Sequence, residues 1–242
     1  MSGRYGALAL RRSYGSRAGA YKKRRRRYGS IAGQMRTSGY FGRYNQLGTE
    51  RKFKDTDIDS YAIPNTGQLH TTGVQGAIAA GTGESERIGR KITLRSVHIR
   101  AALHKSAASS SGNTSDIVRI IVGIDTQCNG VGPTIAQVLQ AATPNPFMQY
   151  NNLSNKGRFI ILKDKIILMN CVGGAGNGTT NVFGEGHKFF KYDKKLNIPV
   201  NYDGVTGGIS EIRDNVLFMI VSSNANNQTL IVLNNRVRYT DV

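Results

Sequence analysis

Beyond residue 48, apolar residues recur with period two rather than with helical period, in short runs separated by Gly-, Asn- and Ser-rich spacers. The first candidate strand, 51–61, is charged and weakly patterned. The Gly/Thr-rich stretch 66–83 has room for a short one. Over 90–105, Ile92 and Leu94 share one parity, while Val97, Ile99, Ala101 and Leu103 share the other. A phase slip of one residue predicts a β-bulge. The run Ile117–Val122 is apolar on both faces, as in a covered strand. Phe159–Leu162 and Ile166–Met169 flank Lys163-Asp164-Lys165 and predict a long bent strand or a hairpin. The clearest alternation sets Phe190, Tyr192, Leu196, Ile198, Val200 and Tyr202 against Lys191, Asp193, Lys195, Asn197 and Asn201; Pro199 places this strand on an edge or at a bulge. Val216–Val221 and Leu230–Tyr239 complete the set. One helix is expected after Pro133, with Ile135, Val138, Leu139 and Ala142 on one face and Pro144 as its stop. Eight strands joined by long loops, with one short helix, predict an all-β protein: an eight-stranded antiparallel jelly-roll sandwich over 49–242.

Charge changes the picture. The chain carries 33 Lys and Arg against 15 Asp and Glu, a net charge of +18, and residues 1–48 hold 12 of the cations and no acid. These are Arg4, Arg11, Arg12, Arg17, the run Lys22-Lys23-Arg24-Arg25-Arg26-Arg27, Arg36 and Arg43. Among Gly, Ser and Ala they cannot bury enough apolar surface to offset ordering entropy, so 1–48 is expected to be a disordered arm. Its natural counterion is a polyanion, bound in a salt-sensitive and sequence-tolerant way. Tyr14, Tyr21 and Tyr28 (with Tyr5) interleave with the arginines, and such rings stack on unpaired bases. The arm is therefore read as binding single-stranded nucleic acid. Residues 22–27 also fit a nuclear-localisation signal and a nuclear import receptor. No run of roughly 18 apolar residues exists and no apolar stretch precedes the first basic residues, so neither membrane insertion nor a secretory signal is expected. Without such a signal, the Asn-x-Ser/Thr sequons, Asn152-Leu153-Ser154 among them, are taken as chance matches.

Catalytic chemistry finds little support. Cys128 and Cys171 have no close spacing, and His70, His98, His104 and His187 form no metal-ligand pattern. Asp55, Asp57 and Asp59 would share one face of a strand. An exposed edge strand or contacts to a basic neighbour is the first reading, and an ion shared between subunits is the second. An EF-hand is excluded because Ser60 and Thr66 stand where Gly and Glu are needed. Gly173–Gly178 lacks the Gly-Lys-Ser/Thr ending of a phosphate loop. Neither a cofactor nor an enzymatic role is expected. Residues 66–85, 106–115 and 173–186 are candidate surface or inter-subunit loops.

A basic arm followed by an eight-stranded sandwich is the plan of small icosahedral coat proteins. Glu50-Arg51-Lys52-Phe53-Lys54-Asp55-Thr56 and Glu86-Arg87-Ile88-Gly89-Arg90-Lys91-Ile92 resemble the start of the core in capsid proteins of circular, Rep-encoding single-stranded DNA viruses of gemini-like and circovirus-like type. Asp125-Thr126-Gln127-Cys128-Asn129-Gly130 and Asn155–Lys165 resemble further stretches of that family. The resemblance spans roughly 50–170. It implies a single jelly roll, a shell of 60 copies, arms facing inward onto single-stranded DNA, and locations in the virion and the host nucleus. Satellite-virus coat proteins, which package RNA, share the plan. A cellular binder of ribosomal or chromatin type is the other alternative, though it would spread its charge over the core, which here carries only +6.

Overall fold

The computed structural model describes residues 51–105, 115–140, 146–170, 187–225 and 229–242. The arm, with all fifteen of its candidate binding residues, lies outside them, as do the Ser-rich stretch through Thr114, the Gly-rich 173–186 and Cys171.

Eight strands form: β1 (Arg51–Ala62), β2 (Gln68–His70), β3 (Lys91–Lys105), β4 (Ser115–Asp125), β5 (Phe159–Asn170), β6 (His187–Asn201), β7 (Val216–Ser223) and β8 (Thr229–Asp241). Four antiparallel pairs, β1/β8, β2/β7, β3/β6 and β4/β5, make the chain one long hairpin rolled on itself. The β3/β8 and β4/β7 pairings close two four-stranded sheets of order β1-β8-β3-β6 and β2-β7-β4-β5. This is the expected jelly roll.

Patterning explains which strand goes where. β6 and β8 alternate because one face meets water. β7 is buried at all eight positions, and β4 at nearly all, because both faces of the second sheet are covered. Between the sheets, Ile92, Leu94, Val97, Ile99, Val118, Ile120, Leu217, Met219, Leu233 and Val237 form the main core. On the far side of the second sheet, Ile121, Phe218 and Ile220 pack with Val138, Leu139 and Phe159 in a second core. Gly123 serves this packing: a Cβ there would lie 2.5 Å from the Phe218 ring. The phase slip falls where the alternation breaks, with a register shift between Leu94 and Ser96. Phe159–Met169 is one strand carrying its own bulge opposite Val122/Gly123. Pro199 sits on β6, an edge strand.

Two expectations need correction. The helix is one turn, α2 (Ile135–Val138), capped reciprocally by Thr134 and Gln137. It stops at Leu139, which is extended and bridges to Asn151, because burying Leu139 in the second core takes it off the helical path. Ala142 and Pro144 lie outside the described residues. The stretch 66–85 is only partly a surface loop. It contains β2 and a second helical turn, α1 (Thr72–Gln75), and drives Val74, Gln75 and Ile78 to zero exposure. Gln75 donates to the Tyr202 hydroxyl (3.0 Å) and accepts from the Leu217 N–H (2.9 Å). An apolar pair in a Gly/Thr-rich stretch was too sparse to reveal this plug.

Arg87 fastens the same region. Its guanidinium donates to the carbonyls of Ile78 (3.1 Å), Gly89 and Gly204, and lies 4.3 Å from the Tyr202 ring centroid. The β2–β3 and β6–β7 connections are thereby held together.

Candidate functional site

The outer face of the β1-β8-β3-β6 sheet carries an ordered array of charged side chains. Strand register sets them in rows. One row reads Asp55, Arg236, His98, Asp193. Arg236 grips Asp55 through two hydrogen bonds (2.6 and 2.5 Å), and that grip holds the Asp55 carboxyl below its usual range. His98 Nδ1 lies 2.7 Å from Asp193 Oδ1; this hydrogen bond is the largest influence lowering Asp193, with Lys191 (3.3 Å) adding to it. Neighbouring rows read Phe53, Arg238, Ser96, Lys195 and Asp57, Asn234, Arg100, Lys191. Across the face, β1 brings Arg51 and three carboxylates, β8 and β3 bring guanidinium groups, and β6 brings Lys191 and Lys195 with Asp193 between them. A groove of about 360 Å³ runs along it, lined by Asp55, Asp57, His98, Arg100, Arg236 and Arg238 among others.

Asp55, Asp57 and Asp59 do share an exposed face. Arg236 takes up Asp55, and among the described residues no group of three or more His, Cys, Asp or Glu is arranged to hold a metal. The histidines meet partners that their spacing does not reveal. His104 stands opposite His187 with ring centroids 6.0 Å apart, and His70 Nε2 lies 2.6 Å from the Tyr61 hydroxyl. Burial pushes the Tyr61 phenol up and the His70 imidazole down.

Ser96 Oγ, His98 and Asp193 also line up. The Ser hydroxyl is 3.1 Å from Nε2 while Nδ1 faces the carboxylate, the connectivity of a hydrolase triad. The His98 and Asp193 side chains are 32% and 42% exposed on an open sheet. Water screens such a pair and competes at the serine, so it lacks the enclosed, preorganised surroundings that catalysis needs. It crosslinks two strands. Sequence reading missed it because β3 and β6 are 95 positions apart at this contact. Cys128 is buried and its thiol is pushed up, chiefly by burial, which makes it a poor nucleophile.

A second surface lies along β5 and β6, an edge strand of each sheet. Ile166 and Leu168 are about half exposed and Phe189 is 81% exposed. With Lys163, Lys165, Lys188 and Lys191 they line a groove of about 480 Å³. No sequence reading singled it out; the signal was lysine beside apolar residues on two strands whose pairing was unknown.

The described residues form a jelly roll whose first sheet turns a charged face to water, a fold that hosts many kinds of protein. The comparisons identify the kind. The model of the satellite tobacco necrosis virus coat protein family matches residues 61–242, and the chain belongs to that family. It is a viral coat protein, a structural protein of the virion whose copies associate in a shell. No curated protein matches it. Among solved structures it is similar to one titled the crystal structure of the 60-mer BFDV capsid protein, at 7% identity, over 79% of this chain and 92% of that one, with a TM-score of 0.30.

Proposed function

We propose that the chain closes into an icosahedral shell of 60 copies and packages single-stranded nucleic acid through residues 1–48, a domain separate from the jelly roll of 49–242. The observation that carries this is the charge division: 12 cations and no acid in the arm, ahead of a sandwich with a net charge of only +6. Sixty arms bring on the order of 700 cations to phosphates, a sizeable share of a kilobase-scale genome. An extended 48-residue arm reaches up to ~160 Å, enough to cross the interior of a small shell. Single-stranded DNA is the cargo suggested by the stretches at 50–56, 86–92, 125–130 and 155–165, together with passage through the host nucleus directed by 22–27. The family match favours a second reading, a satellite-type coat protein with an RNA cargo.

Sedimentation of the full-length protein, with absorbance at 260 and 280 nm and nuclease typing of the contents, tests both. Fast, uniform particles holding DNase-sensitive single strands are expected. RNase-sensitive contents would select the second reading, and a slow monomer in the presence of nucleic acid would refute shell formation. Replacing Lys22 to Arg27 by Gln should leave folded particles with less nucleic acid, and unchanged content would refute the role of the arm.

A further inference from the structure

The two sheet edges are chemically unlike. On β1, at one edge of the first sheet, Arg51, Phe53, Asp55, Asp57 and Asp59 fall at alternate positions and all face water, Phe53 and Asp55 beside the Arg236 guanidinium and the carboxylates of Asp57 and Asp59 at the far end of the strand from Arg51. At the opposite edge β6, with β5 beside it, presents the lysine-rimmed groove around Ile166, Leu168 and Phe189. Among the described residues no ion pair takes up Asp57, Asp59, Lys163, Lys165 or Lys188.

We infer that the β5/β6 groove is an assembly contact whose occupant is the β1 edge of a second copy of this chain, with Phe53 against the apolar floor and Asp57 and Asp59 against Lys163 and Lys165. This rests on the coat-protein reading and adds which surfaces meet. Three exposed apolar side chains inside a ring of lysines have the anatomy of a protein interface, an apolar centre with a polar rim. Of the three, only the Phe189 ring offers a face for base stacking, and Ile166 and Leu168 fit an apolar partner side chain better than a base. Charge then chooses the partner surface. A two-fold contact of the groove with itself would set lysine against lysine. A contact of the β1 edge with itself would set carboxylate against carboxylate. Only the head-to-tail arrangement pairs opposite charges, and head-to-tail contacts close into rings when their rotation permits.

Charge reversal in the full chain tests this. Lys163→Glu with Lys165→Glu should lower particle yield at least about tenfold, because like charges then face each other, and Asp57→Lys with Asp59→Lys should do the same. Combining all four reversals should restore particles. Far-UV circular dichroism of the dissociated subunits checks that each variant is folded. If a double variant misfolds, Phe189→Ser in the unreversed chain tests the same groove and should lower yield alone. Folded double variants that assemble normally, or a folded quadruple variant that stays disassembled, would overturn the contact. Normal particles with reduced nucleic acid from the lysine reversals would overturn it in favour of a genome-binding groove. The unaltered chain is run alongside; its failure to form particles would refute shell formation itself, and this contact with it.

Discussion

Removing the Arg87 fork is expected to loosen one end of the sandwich. Arg87 is 1% exposed, has no carboxylate partner among the described residues, and holds three carbonyls from two connections. Arg87→Met keeps the stem and deletes the fork. The Ile78 carbonyl loses a charged donor in a buried setting, a cost of about 2 kcal/mol. The Gly89 and Gly204 bonds are only part-buried, so water replaces much of each, leaving roughly 1 kcal/mol apiece. Losing the stacking on Tyr202 adds about 1 kcal/mol. Against this total of ~5 kcal/mol, relief from burying an unpaired charge returns about 2 kcal/mol, for a net loss of ~3 kcal/mol. In a protein of this size that lowers the melting temperature by ~6–12 °C. The chain has no Trp, so melts of dissociated subunits are read from tyrosine fluorescence and far-UV circular dichroism. Arg87→Lys should be no better than Met, because an ammonium keeps the buried charge without the planar fork. Arg90→Met, on an exposed neighbour, should lie within ~0.5 kcal/mol of the unaltered chain. A loss below ~1 kcal/mol for Arg87→Met, or full stability for Arg87→Lys, would refute the reasoning.

Three further outcomes are expected. Half-buried His70 resists protonation that the unfolded chain accepts near its ordinary 6.5, so stability should be complete above that pH and fall as pH drops below it, by at most about 1.4 kcal/mol per pH unit. His70→Gln should flatten urea-unfolding midpoints between pH 5 and 7, and a variant that tracks the unaltered chain would refute this. Gly207→Ala should prevent a stable fold, because Gly207 has φ +74° and a Cβ there would lie 2.2 Å from the Ile78 carbonyl oxygen. Gly89→Ala, with φ +85° and open space around it, should cost only the left-handed strain of ~1–2 kcal/mol; equal melts for the two would show that the clash is absent. Ser96 should not react with a fluorophosphonate probe, and covalent labelling at Ser96 would reopen the question of hydrolysis.

Most of the fold was legible in the chain because burial is periodic. Strand period two marked β3, β6 and β8. Continuous apolar runs marked β4 and β7, and the parity slip at Arg95 located a bulge. The charge division likewise needed no coordinates, since an acid-free basic segment repels itself in any conformation. Other features lay beyond local pattern. Val74 and Ile78 plug the sandwich from a loop that reads as polar, and Leu139 leaves its helix because the second core needs it extended. Arg87 reaches the Gly204 carbonyl 117 positions away, and the Asp55-Arg236-His98-Asp193 row exists only once β1, β8, β3 and β6 lie side by side. Which polar residues face water follows from period two along one strand; which of them meet is decided by strand order and register, set by burial of the whole core at once.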